Sequence, residues 1–195
     1  MEPEASPPPR AESLRQVIHL LMLSFALLLR VLEWWQAALL ALAAIVPAAL
    51  LNPSVRRGDE PRVSGVILYP ASVLLVILVF HRHLHIAAAA WAVLAVGDAA
   101  SNVFGRRFGK TKLPWNADKS IAGSAAMLLF SAPAALFFLW WVAQSDYQIA
   151  YYVTLAAAGA LAGTLFESLR LPLNDNPAII LSSSLAMYIV HLVLT

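Results

Sequence analysis

The sequence predicts an all-α integral membrane protein, a polytopic bundle of about seven transmembrane helices with a cytoplasmic N-terminus. Three observations carry that prediction. The chain is 61% hydrophobic and only 12% charged, and its mean hydropathy is +0.73, whereas a soluble domain carries about a quarter charged residues. The apolar residues gather into blocks of roughly 20, the length a helix needs to cross a bilayer. The basic residues also fall on one side. With the N-terminus inside, inside segments hold Arg10, Arg15, Arg56, Arg57, Arg62, Arg106, Arg107, Lys110, Lys112, Lys119 and Arg170, and the outside holds only Arg30 and Arg82. That asymmetry sets orientation and requires an odd number of spans.

Residues 1–11 are polar and Pro-rich and read as a disordered tail, and 12–195 read as a single transmembrane domain. Spans are expected near 13–31, 34–51, 64–81, 84–102, 120–143, 147–168 and 176–194. Each must satisfy its own backbone in lipid, hence helices. Glu2 and Glu4 precede the first span, and Arg15 and His19 lie within it, so it reads as a retained helix and not as a cleaved signal. Two connections are long, Asn52–Val63 and Val103–Lys119. Cysteine is absent, which excludes disulfides and thiolate chemistry. Nothing in the composition points to nucleic acid or to a protein partner, and the oligomeric state is not encoded legibly.

The polar exceptions to this apolar pattern converge. Spans four and six run inward and end with Asp98 and Glu167, while spans five and seven begin with Lys119-Ser120 and Asp175-Asn176-Pro177. An intramembrane carboxylate is costly and needs a partner, and a helix C-terminus disfavours it further. A divalent cation between Asp98 and Glu167, with Asp175 as a third ligand or a base, accounts for both acids. Mg²⁺ suits such a site because it takes a few carboxylates together with substrate phosphates. The competing reading pairs Asp98 with Arg106 or Arg107, pairs Glu167 with Arg170, and leaves Asp175 on the surface.

The segment Gly105–Lys119 is expected to be a loop carrying Arg106, Arg107, Lys110, Lys112 and Lys119, with Gly105 and Gly109 permitting close approach. It feeds Ser120 and Gly123 into a helix start, where free N–H groups suit phosphate. The bland alternative is topological ballast or contact with anionic headgroups. No P-loop or dinucleotide fingerprint is present. Asn176 reads as an N-cap with Pro177 following. Arg15 and His19, four apart, share a helix face and are possible supporting residues. His81, His83 and His85 fall on the opposite face. Gly159-x-x-x-Gly163 is a close-packing signal on the helix of Glu167.

The run Gly97-Asp98 … Gly105-Arg106-Arg107-Phe-Gly109-Lys110 … Lys112-Leu-Pro-Trp-Asn … Lys119-Ser120-Ile-Ala-Gly123 resembles the dolichol kinase/phytol kinase family of CTP-dependent polyprenol kinases. Arg15-Gln-Val-Ile-His19, Ser64-Gly65-Val-Ile-Leu-Tyr69-Pro70 and Glu167-Ser168 … Pro172 … Asp175-Asn176 extend the likeness over most of residues 15–180. Asn102 and Ser101 depart from it, standing where many plant members carry Asp and Ala. The related CTP:phosphatidate cytidylyltransferases share the central pattern, but their basic C-terminal signature is missing here.

The resemblance implies a lipid kinase that moves the terminal phosphoryl group of CTP to a membrane isoprenoid alcohol. Mg²⁺ is the expected cofactor from the paired acids, and the excess of Lys and Arg puts the expected active site on the cytoplasmic face of the cell membrane. Asp98, Lys119, Glu167 and Asp175 are the expected catalytic residues, and Gly97, Asn102, Gly105, Arg106, Arg107, Gly109, Lys110, Lys112, Ser120, Gly123 and Asn176 the expected nucleotide site. The rival readings are cytidylyl transfer to phosphatidic acid and a small membrane transporter.

Overall fold

The computed structural model describes residues 9–55, 65–144, 147–171 and 174–195, with side chains described from Gln16 to Asn52 in the first stretch. Residues 1–8, the side chain of Arg15, and Arg56, Arg57, Arg62, Ser64 and Pro172 lie outside the described residues.

Among the described residues seven helical columns follow one another. Helix α1 (Pro9–Leu23) tightens into a 3₁₀ stretch over Ser24–Arg30, and α2 (Trp34–Val55) and α3 (Gly65–Val79) follow. The fourth column joins α4 (Leu84–Ala92) to α5 (Asp98–Phe108) through a π turn over Val93–Gly97. A two-stranded antiparallel hairpin, β1 (Lys112–Leu113) and β2 (Asn116–Ser120), leads into α6 (Ile121–Ala143). Helices α7 (Ile149–Ser168) and α8 (Asp175–Leu194) complete the chain. Five columns are long and apolar enough to cross a membrane, and the stretches Gln16–Arg30 and Gly65–Val79 are shorter apolar helices. This is the all-α membrane bundle the composition predicts.

The fourth column is the hub: 72% of its apolar window is buried, against 17–39% for the other four long columns. Its Ala87–Ala90 run brings neighbours close, and Ile86 through Ala95 are all buried. Helix α2 lies at the periphery, with Leu39, Leu42, Val46 and Leu50 exposed. Exposed leucines and valines of this kind are what a lipid-facing surface requires, since outward apolar residues meet hydrocarbon. Helix α7 packs against α8 through the Gly159-x-x-x-Gly163 face. A Cβ at Gly163 would stand 2.6 Å from Ser183 Oγ and 2.7 Å from Val93 Cγ1, and one at Gly159 would meet Met187. Glu167 lies one turn beyond Gly163 and is carried into the interior by that close approach.

Three sequence-level expectations are corrected here. Gly105, Arg106 and Arg107 belong to the last turns of α5, not to a loop, so Asp98 lies within a continuous column and not at its C-terminus. The macrodipole penalty assigned to Asp98 therefore falls away. The remainder of the basic segment is a hairpin. The cap of α8 is Asn174, whose side chain accepts from Asn176 N–H at 3.1 Å; Asn176 is already inside the helix.

Candidate functional site

One end of the bundle gathers the ends of α5 and α7, the starts of α3, α6 and α8, and the hairpin. Its centre is Lys119, on β2. The Nζ of Lys119 donates to Glu167 Oε1 at 2.6 Å and to Asp175 Oδ2 at 2.8 Å. Glu167 is only 1% exposed, while the Asp175 side chain is 40% exposed. Burial pulls the Lys119 ammonium towards deprotonation, but Glu167 and then Asp175 outweigh it and push its pKa up from 10.5 to about 12. Lys119 therefore stays charged at any physiological pH. A second donor, Ser101 Oγ, reaches Glu167 Oε1 at 2.9 Å. The other oxygen, Glu167 Oε2, is buried with no hydrogen-bond partner among the described residues, an arrangement that leaves a carboxylate oxygen in want of a ligand.

Other side chains hold this centre in place. Trp115 Nε1 donates to Ser168 Oγ at 3.3 Å, and Asn116 Nδ2 to the Ser168 carbonyl at 3.1 Å. These bonds pin the hairpin to the end of α7 and so seat Lys119 over Glu167. On α5, Asn102 Nδ2 donates to Asp98 Oδ1 at 3.0 Å and to the Asp98 carbonyl at 2.9 Å. An amide at position 102 thus stabilises the Asp98 carboxylate, where a second acid would repel it. The π turn before Asp98 inserts an extra residue and re-aims every side chain after it, a device common at functional sites.

The glycines form a close knot beside this centre. A Cβ on Gly109 would collide with the Gly105 carbonyl and come within 2.6 Å of Ser120 Oγ. One on Gly123 would lie 3.1 Å from the Ser101 carbonyl. Gly97 packs against Met127. The start of α6 is less open to phosphate than its sequence suggests. Ser120 Oγ caps Gly123 N–H at 3.1 Å, and Ile121 N–H is bonded to the Thr111 carbonyl at 3.1 Å. Arg106, Arg107, Lys110 and Lys112 are exposed and make no ion pair among the described residues.

The Gly65…Tyr69-Pro70 motif joins the closing one, since Asn176 Nδ2 donates to the Gly65 carbonyl at 2.8 Å. Four residues on, Tyr69 stacks on His19 with ring centres 3.8 Å apart and donates to the His19 carbonyl. Tyr69 also accepts from Trp91 Nε1 at 2.7 Å. His19 is thus a buried packing partner of Tyr69.

Glu167 does not pair with Arg170, which instead meets Asp118 on the surface at 3.0 Å. Among the described residues no three His, Cys, Asp or Glu side chains stand together as a metal cage, so Asp98, Glu167 and Asp175 do not form one by themselves. His83, His85 and His191 cluster at the opposite end of the bundle, where Tyr151 Oη lies 2.7 Å from His191 Nδ1. Sequence reasoning misses Ser101, Trp115 and Ser168 as supports. Only the polarity of Ser101 within an apolar column could have signalled one of them.

The fold and this site define a polytopic all-α membrane protein with a buried lysine–carboxylate centre at one end. Comparison with known proteins narrows that class. The chain is 31% identical to Phytol kinase 1, chloroplastic, of Arabidopsis thaliana over 153 residues, 75% of this chain and 50% of that protein. It is 28% identical to Farnesol kinase, chloroplastic, of the same plant over 172 residues, 85% and 55% respectively. A probable phytol kinase of Triticum aestivum is 32% identical over 150 residues, 72% and 49%. This likeness, at about 30% identity over most of the chain, supports the polyprenol/phytol kinase family. The chain spans about half the length of the curated relatives it matches. No family model matches the chain, and no solved structure matches it.

Proposed function

We propose that this protein is a prenyl-alcohol kinase, transferring the terminal phosphoryl group of a nucleoside triphosphate, CTP by resemblance, to a membrane isoprenoid alcohol. The products are the isoprenyl monophosphate and the nucleoside diphosphate. The observation that carries the reading is the Glu167–Lys119–Asp175 centre built on the buried Glu167, in a chain similar to proteins named phytol kinase and farnesol kinase.

Phosphoryl transfer needs alignment and charge neutralisation more than covalent chemistry. In this reading Arg106, Arg107, Lys110 and Lys112 gather the triphosphate by charge and hydrogen bonding. Gly105, Gly109 and Gly123 keep the adjoining backbone compact, and Ser120 and Asn176 brace the two helix starts. Lys119 is a positioning group that pairs with the buried Glu167 and seats it at this end of the bundle. The alcohol oxygen attacks the terminal phosphorus while the bond to the diphosphate leaving group breaks, and the hydroxyl proton passes to a carboxylate. Asp98, carried by α5 to the same end of the bundle, is assigned that proton in this reading.

A divalent cation fits the donor set. Glu167 Oε2 is buried without a protein partner, and Mg²⁺ uses one or two carboxylates plus phosphates and needs no all-protein cage. Glu167 and Asp98 would hold it, and Asp175 is the least suited of the three because Lys119 occupies it. When bound, Mg²⁺ would supply neutralisation of the developing phosphate charge. The basic end of the bundle is proposed to face the cytoplasm by the excess of Lys and Arg there.

Purified protein incubated with NTPs labelled at the terminal phosphate and with a panel of prenyl alcohols tests this reading. Labelled prenyl monophosphate is expected, with CTP compared against ATP and UTP. Release of pyrophosphate with a cytidylylated lipid would replace kinase by cytidylyltransferase chemistry, and flux without turnover would replace it by transport.

A further inference from the structure

Building on the prenyl-alcohol kinase reading, we propose that a cavity walled by α1 with its 3₁₀ continuation, α2, α3 and α4 holds the first two to three isoprene units of the alcohol. The cavity has a volume of about 290 Å³, near the roughly 300 Å³ at which small-molecule sites begin. Its floor is Leu29, Tyr69, Val73, Ile77 and Trp91, all buried. Its outer rim includes Phe25, Leu40 and Pro47, which are exposed on the lipid-facing side of the bundle.

The lining tells which kind of occupant fits. The only polar groups at the floor, Tyr69 O–H and Trp91 N–H, are bonded to the His19 carbonyl and to Tyr69 respectively. Both donors are taken, and an apolar cavity that offers water too few polar partners stays dry and takes apolar ligands. On α2, Ala37, Ala41 and Ala44 lie on one face at helical spacing and all line the cavity. Their small side chains leave recesses along the wall that accommodate the branch methyls of an isoprenoid.

The position of the cavity points to the reacting end. Tyr69 is four residues from Gly65, about 6 Å along the helix axis, and Gly65 is bonded to Asn176, the neighbour of Asp175. A chain lying in the cavity therefore directs its hydroxyl end towards the carboxylates. From Tyr69 to Ile77 the cavity runs eight residues, about 12 Å. Carbon–carbon bonds of about 1.5 Å in a zigzag advance roughly 1.25 Å each, so some ten bonds fit, between two and three isoprene units. The rest of a longer chain leaves between Phe25 and Leu40 into the bilayer.

Two readouts on the full chain in nanodiscs test this. The first compares Ala41→Phe and the gentler Val73→Leu with the unmodified protein on five-, fifteen- and twenty-carbon prenyl alcohols. Filling the cavity is expected to raise the ratio of kcat/KM on the five-carbon alcohol to that on the fifteen-carbon alcohol at least tenfold. Equal effects at all lengths in both variants overturn the assignment. The second uses a diazirine-bearing prenyl chain, with the cross-link mapped by mass spectrometry. Labelling is expected on α2 and α3, suppressed by excess phytol and by Ala41→Phe. Labelling on α6 or α7, or equal competition by a phospholipid, overturns the cavity assignment even if the alcohols are phosphorylated. Cavity labelling with no phosphorylation of any alcohol supports the cavity and overturns the kinase reading.

Discussion

Replacing Lys119 by Met tests the physical core of this description. The substitution keeps most of the side-chain volume and removes the ammonium that lies 2.6 Å from Glu167 and 2.8 Å from Asp175. The two contacts do not weigh equally. Asp175 is substantially exposed, and solvent screens such a pair to at most about 1 kcal/mol. Glu167 is 1% exposed, and breaking a buried pair from one side leaves an uncompensated charge at a cost of about 3–5 kcal/mol. The single substitution should therefore destabilise the fold by roughly 3 kcal/mol, nearly all of it through Glu167. Adding Glu167→Gln removes the stranded charge, so the double variant should recover about 2 kcal/mol of that loss. The assay is a double-mutant cycle by reversible unfolding in mixed micelles, with Lys119→Arg as a charge-preserving control. If the two substitutions add, Glu167 and Lys119 are not coupled, and the centre described here does not exist in solution.

The remaining predictions concern pH, the site carboxylate and the glycine knot. Because the folded-state pKa of Lys119 is raised from 10.5 to about 12, its contribution to stability is complete below pH 10.5. It is lost as the pH rises through about 12, and unfolding followed from pH 8 to 12 should show a loss of about 2 kcal/mol that is absent in Lys119→Met. Asp98→Asn should lower phosphoryl transfer at least 100-fold, the scale of a proton-accepting group. Gly109→Ala should cost about 1–3 kcal/mol by overpacking against Gly105 and Ser120. Combining it with Ser120→Gly should restore part of the loss, because one of the colliding groups is then gone.

Much of the architecture is legible in the sequence because lipid allows few solutions: apolar blocks of spanning length must be helices, and the basic residues orient them. The gathering of Glu167, Lys119 and Asp175 at one end follows from counting spans. Their direct pairing does not, because Arg170 is nearer to Glu167 in sequence and only the fold shows it turned to Asp118. The hairpin over 112–120 is illegible for a different reason. Its residues show no apolar alternation, and what holds it is tertiary, the bonds from Trp115 and Asn116 to Ser168. The π turn at Val93–Gly97 is as apolar as the helix around it, so nothing local announces the register change that re-aims Asp98. Asn174 and Asn176 are equally good capping residues by type, and the choice between them is made by the bond from Asn176 to Gly65.

The central claim is that this bundle phosphorylates a prenyl alcohol at the Lys119 end. The most direct measurement is incubation of purified protein with CTP labelled at the terminal phosphate and a fifteen- or twenty-carbon prenyl alcohol, with Asp98→Asn in parallel. Labelled prenyl monophosphate formed by the parent and not by Asp98→Asn is the predicted result. Equal labelling by both, or labelled pyrophosphate in place of the lipid phosphate, would contradict it.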